Sequence, residues 1–243
     1  MDAGWIPLPE EDFSMGNTDM VAPEQDDAPS LLISGGNGGL ARCVRQFFGD
    51  RGWRVVAPSR MELDVRDCVG VEEFVASHGS FDCVICNAGI TGDQLLMRQS
   101  ETRWDEIMDV NLRGAAWCAA SAARGMKRVR KPGSIVLVGS YAALHPGAGQ
   151  ALYAASKAAL VGLMKSLARE WGGDGIRVNL VLPGFMETPM TERLPDHVFE
   201  RARKKHVLGA FNTPSHAAEF LYFLHASMPL TSGQVFSLDS RIL

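Results

Sequence analysis

From residue 30 onward, short apolar runs alternate with segments of helical spacing, and that alternation leaves few folds open. Leu31-Leu32-Ile33 reads as a short buried strand, with a helix following through about Phe48. Arg54–Ala57, Asp82–Ile85, Ile135–Val138, Ile176–Leu182 and Gln234–Leu238 read as further strands. Between them, helices are expected at Val71–His78, about Glu101–Arg128, Tyr153–Trp171 and Ser215–Leu224, with Gly172-Gly173 stopping the third. The stretch 185–212 reads as mobile. Strands that are apolar throughout, separated by helices, form a parallel sheet covered on both faces. Residues 30–243 are therefore expected to form one α/β domain, and 243 residues suit a single core of this kind.

The loop after the first strand is Ser34-Gly35-Gly36-Asn37-Gly38-Gly39-Leu40-Ala41. Glycines between a strand and a helix let a phosphate approach the backbone and the helix N-terminus. Near the end of the second strand of such folds, an acid binds ribose hydroxyls, whereas an arginine accommodates a 2′-phosphate. Ser59 stands where the acid would be, and Arg60 follows it. NADPH is thus favoured as cofactor, with NADH possible. Ligands on a parallel sheet bind beyond the carboxyl ends of the strands. Gly35–Ala41, Asn87-Ala88-Gly89, Ser140 and Pro183-Gly184 all fall there.

The chemistry points to Ser140, Tyr153 and Lys157. Tyr153 and Lys157 are four apart in a helical segment, which places them on one face. A free phenol has a pKa of about 10 and exchanges protons poorly at neutral pH. A lysine ammonium beside it is expected to favour the phenolate and lower that value. Ser140, at the end of a strand, can donate to the carbonyl oxygen that Tyr153 protonates. This is equipment for moving a proton at a carbonyl or an alcohol.

Other features narrow the classes. Residues 1–29 hold eight acids, four prolines and no Lys or Arg, and read as a flexible acidic arm; the rest of the chain is net +4, from 24 bases against 20 acids. A net charge of −4 argues against nucleic-acid binding. No apolar run is long enough to span a bilayer and no secretory signal is visible, so a cytoplasmic address is expected. Cys83 and Cys86 lie three apart in a strand-like run and should point to opposite faces, which argues for burial rather than a metal or redox pair. No metal site is expected.

From about residue 30 to its end the chain resembles the short-chain dehydrogenase/reductase family, with its Rossmann-type, doubly wound sheet. Gly35-x3-Gly39-x-Ala41 answers to the family's glycine motif and Asn87-Ala88-Gly89 to its strand-four motif. Asn111, Ser140, Tyr153 and Lys157 answer to its catalytic tetrad. The segments Asn87–Arg98 and Val178–Met190 are similar to those of 3-oxoacyl-[acyl-carrier-protein] reductases. The resemblance implies NADPH-dependent reduction of a 3-oxoacyl thioester on a carrier protein or CoA. It implies that Asn111 positions a relay water and that Lys157 also holds the nicotinamide ribose. Cofactor contacts implied are Ser34, Gly35, Asn37, Gly38, Gly39 and Leu40; Ser59, Arg60, Asp64 and Val65; Asn87, Ala88 and Gly89; Tyr153 and Lys157; and Pro183, Gly184, Met186 and Thr188.

The departures from the family are specific. Gly38 replaces a residue that is often basic in NADPH-preferring members, and Ser240-Arg241 replaces a glycine pair. Only three residues separate Arg60 from Asp64, whereas a parallel crossover needs about a dozen. The helix after the second strand is therefore predicted to be missing. That shortening also makes the chain similar to dihydropteridine reductase, an alternative along with other alcohol dehydrogenases; a non-catalytic dinucleotide sensor is a third reading. Lys127, Arg128, Arg130 and Lys131 form a basic cluster suited to an acyl carrier protein, although Asp174 stands where such reductases carry a second base. Helices rich in small residues at Ala115–Ala123 and Ala154–Leu167 imply a homodimer or homotetramer.

Overall fold

The computed structural model describes residues 28–188, 191–192 and 195–241. The expected arm therefore lies, except for its last two residues, outside the described residues. Six strands form one parallel sheet in the order β2-β1-β3-β4-β5-β6: β1 Ser30–Ile33, β2 Arg54–Val56, β3 Cys83–Cys86, β4 Gly133–Val138, β5 Ile176–Leu182 and β6 Val235–Ser237. All five strand pairings are parallel. The order reverses between β1 and β3, which opens a crevice above their carboxyl ends.

Helices cover both faces. On one side α2 (Cys68–His78), α4 (Gly114–Arg128) and α5 (Ala151–Trp171) enclose a core with Val84, Cys86, Ile135, Leu137 and Leu180. On the other, α1 (Gly39–Gly49) and α7 (Pro214–Ala226) pack over Leu31, Ile33, Cys83, Ile85 and Val136. Cys83 and Cys86 thus do face opposite sides. Burial pushes the Cys83 thiol up to about 12, so at neutral pH it is a small apolar filler. Helix starts follow local chemistry: Asp67 accepts from the amides of Val69 and Gly70, and Thr213 caps α7 ahead of Pro214.

The helix expected after the second strand is indeed missing. The chain goes from β2 through residues 57–67 directly into α2, and β2 is an edge of the sheet. Two expectations need correction. The long helix is interrupted: α3 (Glu101–Met108) passes through a π-helical turn, Asp109–Arg113, into α4, and Asn111 sits in that turn. The stretch read as mobile contains α6, Asp196–Arg203. That helix is short and buries none of its own residues deeply; Val198, Phe199 and Ala202 give it a narrow, half-buried face among charged residues. Contacts within the stretch hold it together, with Phe185, Phe199 and Phe211 packed ring to ring at 4.6–6.3 Å.

Candidate active site

The ends of β1 and β3 are stitched together by side chains. The Ser34 hydroxyl accepts the amides of Asn87 and Ala88, each at 3.0 Å, and the Asn87 amide donates to the Ser34 carbonyl at 3.0 Å. Gly35 has a φ of +72°, and a Cβ there would lie 3.0 Å from the Ala88 Cα, so a side chain has neither the conformation nor the space. Gly38 begins α1 without a side-chain cap, and the first turn carries no acid. Its amides and the positive end of its dipole are left available to an anion. This cradle fits the pyrophosphate of a dinucleotide. Leu40 has only its backbone to offer there, because its side chain is buried in the core beside Ala41.

The adenosine side is bounded by the loop after β2. Gly36 donates its amide to the Pro58 carbonyl at 2.8 Å, which draws this loop against the glycine cradle. At its tip the Glu62 carboxylate accepts the Ser59 amide at 2.7 Å. Arg60 is largely exposed and reaches Asp64 at 3.7 Å, while Arg66 grips the same carboxylate and, as the main cause, holds it down to about 2. Val65 is buried against Gly114 at the start of α4.

The reacting groups gather at the carboxyl end of β4. Gly139 donates to Val181, which sets Ser140 beside the end of β5. Ser140 caps a short 3-10 turn, accepting the Ala142 amide at 3.2 Å, so that its proton is directed elsewhere, towards the Tyr153 side. Tyr153 and Lys157 come from the first turns of α5. Burial raises the Tyr153 phenol above its ordinary range; the Ser140 hydroxyl pulls it back and the Asp93 carboxylate pushes it further. Lys157 is buried, donates to the Val138 carbonyl at 2.8 Å, and is pushed by desolvation down to about 8. The net shift of the phenol is thus upwards, with burial its largest cause, and the ammonium is turned to the Val138 carbonyl.

Asn111 spends its amide on structure. Its Oδ1 accepts the Ile90 amide at 2.8 Å, while its Nδ2 donates to the Ile90 carbonyl at 2.9 Å and to Ser156 Oγ at 3.0 Å. The π turn places this side chain under the loop that follows β3. A Cβ on Gly89 would lie 3.4 Å from both Asn111 Oδ1 and Lys157 Nζ, so the three residues meet at one point. At the far wall, Pro183 accepts from Asn212, and Gly184 packs on Asp239. Met186 is buried, and Thr191 bonds both Met186 and Thr188.

Sequence reasoning missed several residues of this neighbourhood. Asp93 beside Gln150, Ser156 beneath Asn111, and Glu62 on the Ser59 amide belong to no motif. Arg241 was visible only as a departure from a glycine pair. It lays its guanidinium 3.5 Å from the ring centre of Tyr141, next to Ser140, and pairs with the buried carboxylate of Asp239.

A glycine cradle at the switch point, with a serine, a tyrosine and a buried lysine at the adjoining strand ends, is the arrangement of a nicotinamide-dependent oxidoreductase. A family model described as Enoyl-(Acyl carrier protein) reductase matches residues 41–240. The 3-oxoacyl-[acyl-carrier-protein] reductase of Thermotoga maritima is 35% identical over 238 residues, covering 87% of this chain and 96% of that protein. The enzyme of the same name from Chlamydia muridarum is 36% identical and covers 86% of each. An oxidoreductase of Burkholderia thailandensis, described as of the short chain dehydrogenase/reductase family, superposes with a TM-score of 0.80 at 28% identity, over 88% of this chain and 92% of its own. The chain belongs to the short-chain dehydrogenase/reductase family and is an NAD(P)-dependent oxidoreductase acting on carbonyl or hydroxyl groups. Among the described residues, no helix is long and apolar enough to cross a membrane.

Proposed function

We propose that this protein reduces 3-oxoacyl thioesters to 3-hydroxyacyl thioesters with NADPH, as a cytoplasmic homodimer or homotetramer whose catalytic unit begins at about residue 30. The carrying observation is the placement of a neutral, desolvated Tyr153 phenol beside Ser140, with the Lys157 ammonium buried behind them. The names of its 3-oxoacyl-[acyl-carrier-protein] reductase relatives favour that substrate class over others. So does the greasy rim: Gln94 donates to Gly149 at 2.9 Å, which raises exposed Leu95, Leu96 and Met97 beside the loop before α5, near exposed Leu144.

A bound nicotinamide dinucleotide supplies the hydride. The chain supplies position and protons. Ser140 Oγ accepts the Ala142 amide, which orients it, and gives its one proton to the substrate carbonyl oxygen. Tyr153 Oη gives its proton to that oxygen as negative charge develops there. Lys157 uses one of its three protons on Val138 and has two to offer, one towards the ribose and one towards the path that restores the Tyr153 proton. The point shared with Gly89 and Asn111 is where a relay water to Lys157 would stand. The test compares kcat/KM for acetoacetyl thioesters, a dihydropterin and cyclic ketones with each nicotinamide cofactor. The thioester with NADPH should lead by about tenfold or more, a preference of some 1.4 kcal/mol. Preference for the pterin, which the edge position of β2 keeps in contention, would overturn the assignment.

A further inference from the structure

We propose that the C-terminal end of α6 is the docking surface for an acidic carrier protein that brings the acyl thioester to the site; this rests on the thioester reading above. Four of the five residues 201–205 are basic. Arg201, Lys204 and Lys205 are spaced three and four apart, share one face of the helix end and are exposed. Among the described residues the one ion pair in this stretch joins Arg203 to Glu200 at 3.7 Å, so those three cations keep their charge for a partner.

Position supports the same partner. Lys205 and Val207 form one wall of a cavity of about 580 Å³, and Tyr141, Leu144, His145 and Pro146 form the other. Tyr141 directly follows Ser140, so Lys205 stands across this cavity from a wall that begins one residue beyond the reacting serine. Val207 and Leu208 are exposed beside it and supply apolar contact. Cations at a helix C-terminus also suit the dipole, but that does not explain a lysine built into the wall of a substrate-sized cavity. The other basic cluster is poorly suited. Lys127 is held by Asp174 at 2.6 Å and Lys131 by Asp82 at 2.7 Å, and both lie at the amino end of β4, whereas Ser140 is at its carboxyl end. Charge complementarity beside this cavity steers a large acidic partner and fixes its orientation, while a small thioester has no need of it.

The test uses the full chain and the double variant Arg201→Glu/Lys204→Glu. Titration with an acyl carrier protein should give a Kd raised by roughly tenfold or more, with a flatter salt dependence. The kcat/KM for a 3-oxoacyl group on the carrier should fall in parallel, while that for the same acyl group on N-acetylcysteamine stays unchanged. Lys127→Glu/Arg128→Glu should move neither. Equal carrier affinity in wild type and variant, or a parallel loss on both thioesters, would overturn the proposal. So would disappearance of the effect once residues 1–27 are removed, since the patch would then serve the chain's own acidic arm. Carrier binding without reduction of either thioester would leave the surface standing and refute the reductase reading instead.

Discussion

Lys157 Nζ donates to the main-chain oxygen of Val138 at 2.8 Å, tying the second turn of α5 to the carboxyl end of β4. Among the described residues the ammonium has no carboxylate partner, and desolvation pushes it down to about 8. The Tyr153 phenol, one turn earlier on α5, is shifted the other way, upwards, chiefly by its own burial. Below about pH 8 the free enzyme therefore carries a charged lysine and a neutral tyrosine together, the pair that reduction needs.

This gives the reaction a direction with pH. In reduction, kcat/KM should be level below about pH 7.5 and fall through about pH 8 as Lys157 loses its proton, because the free-enzyme groups govern this ratio. Lys157→Met should remove that limb and lower the rate by roughly 10²-fold or more. A profile that stays level well above pH 9, measured with saturating cofactor, would contradict the assignment.

Asn111 is fully buried, and its three hydrogen bonds serve Ile90 and Ser156. Asn111→Leu leaves the Ile90 peptide without partners, which should cost about 2–3 kcal/mol. In a chain of this size that corresponds to a Tm lower by roughly 5–10 °C. Thermal unfolding checks it; a change within 1 °C would mean that the loop after β3 is held by other contacts.

Cofactor choice should depend on Glu62 as well as Arg60. The Glu62 carboxylate occupies the Ser59 amide, which a 2′-phosphate beside Arg60 would approach, and two negative charges there repel. Glu62→Gln should tighten NADPH several-fold and leave NADH nearly unchanged, whereas Arg60→Ala should weaken NADPH alone. Fluorescence titrations with both cofactors decide this. Equal effects on the two would show that neither residue reaches the 2′ position.

What could be read from the sequence was local. The strand–helix alternation, the missing crossover helix after β2 and the opposed faces of Cys83 and Cys86 follow from chain geometry over a few residues. The contacts that complete the site are not local. Nothing near Asn111 in sequence reveals that Ile90 and Ser156, 21 and 45 residues away, take up its amide. Nor does the four-residue spacing of Tyr153 and Lys157 show that the ammonium turns to Val138. Helix α6 was overlooked although its pattern is present: Val198, Phe199 and Ala202 share one face, but the helix is only eight residues long and Phe185 and Phe211 outside it supply the ring contacts.

The central claim is that one phenol supplies the proton, and Tyr153→Phe tests it most directly. The ring and its packing are kept while Oη is removed. Single-turnover reduction of an acetoacetyl thioester by the wild type and by this variant, each loaded with cofactor to a measured occupancy, gives the answer. We expect unchanged cofactor affinity and a chemical step slower by about 10²–10⁴-fold. A variant that binds cofactor equally well and turns over within a few-fold of wild type would contradict the account.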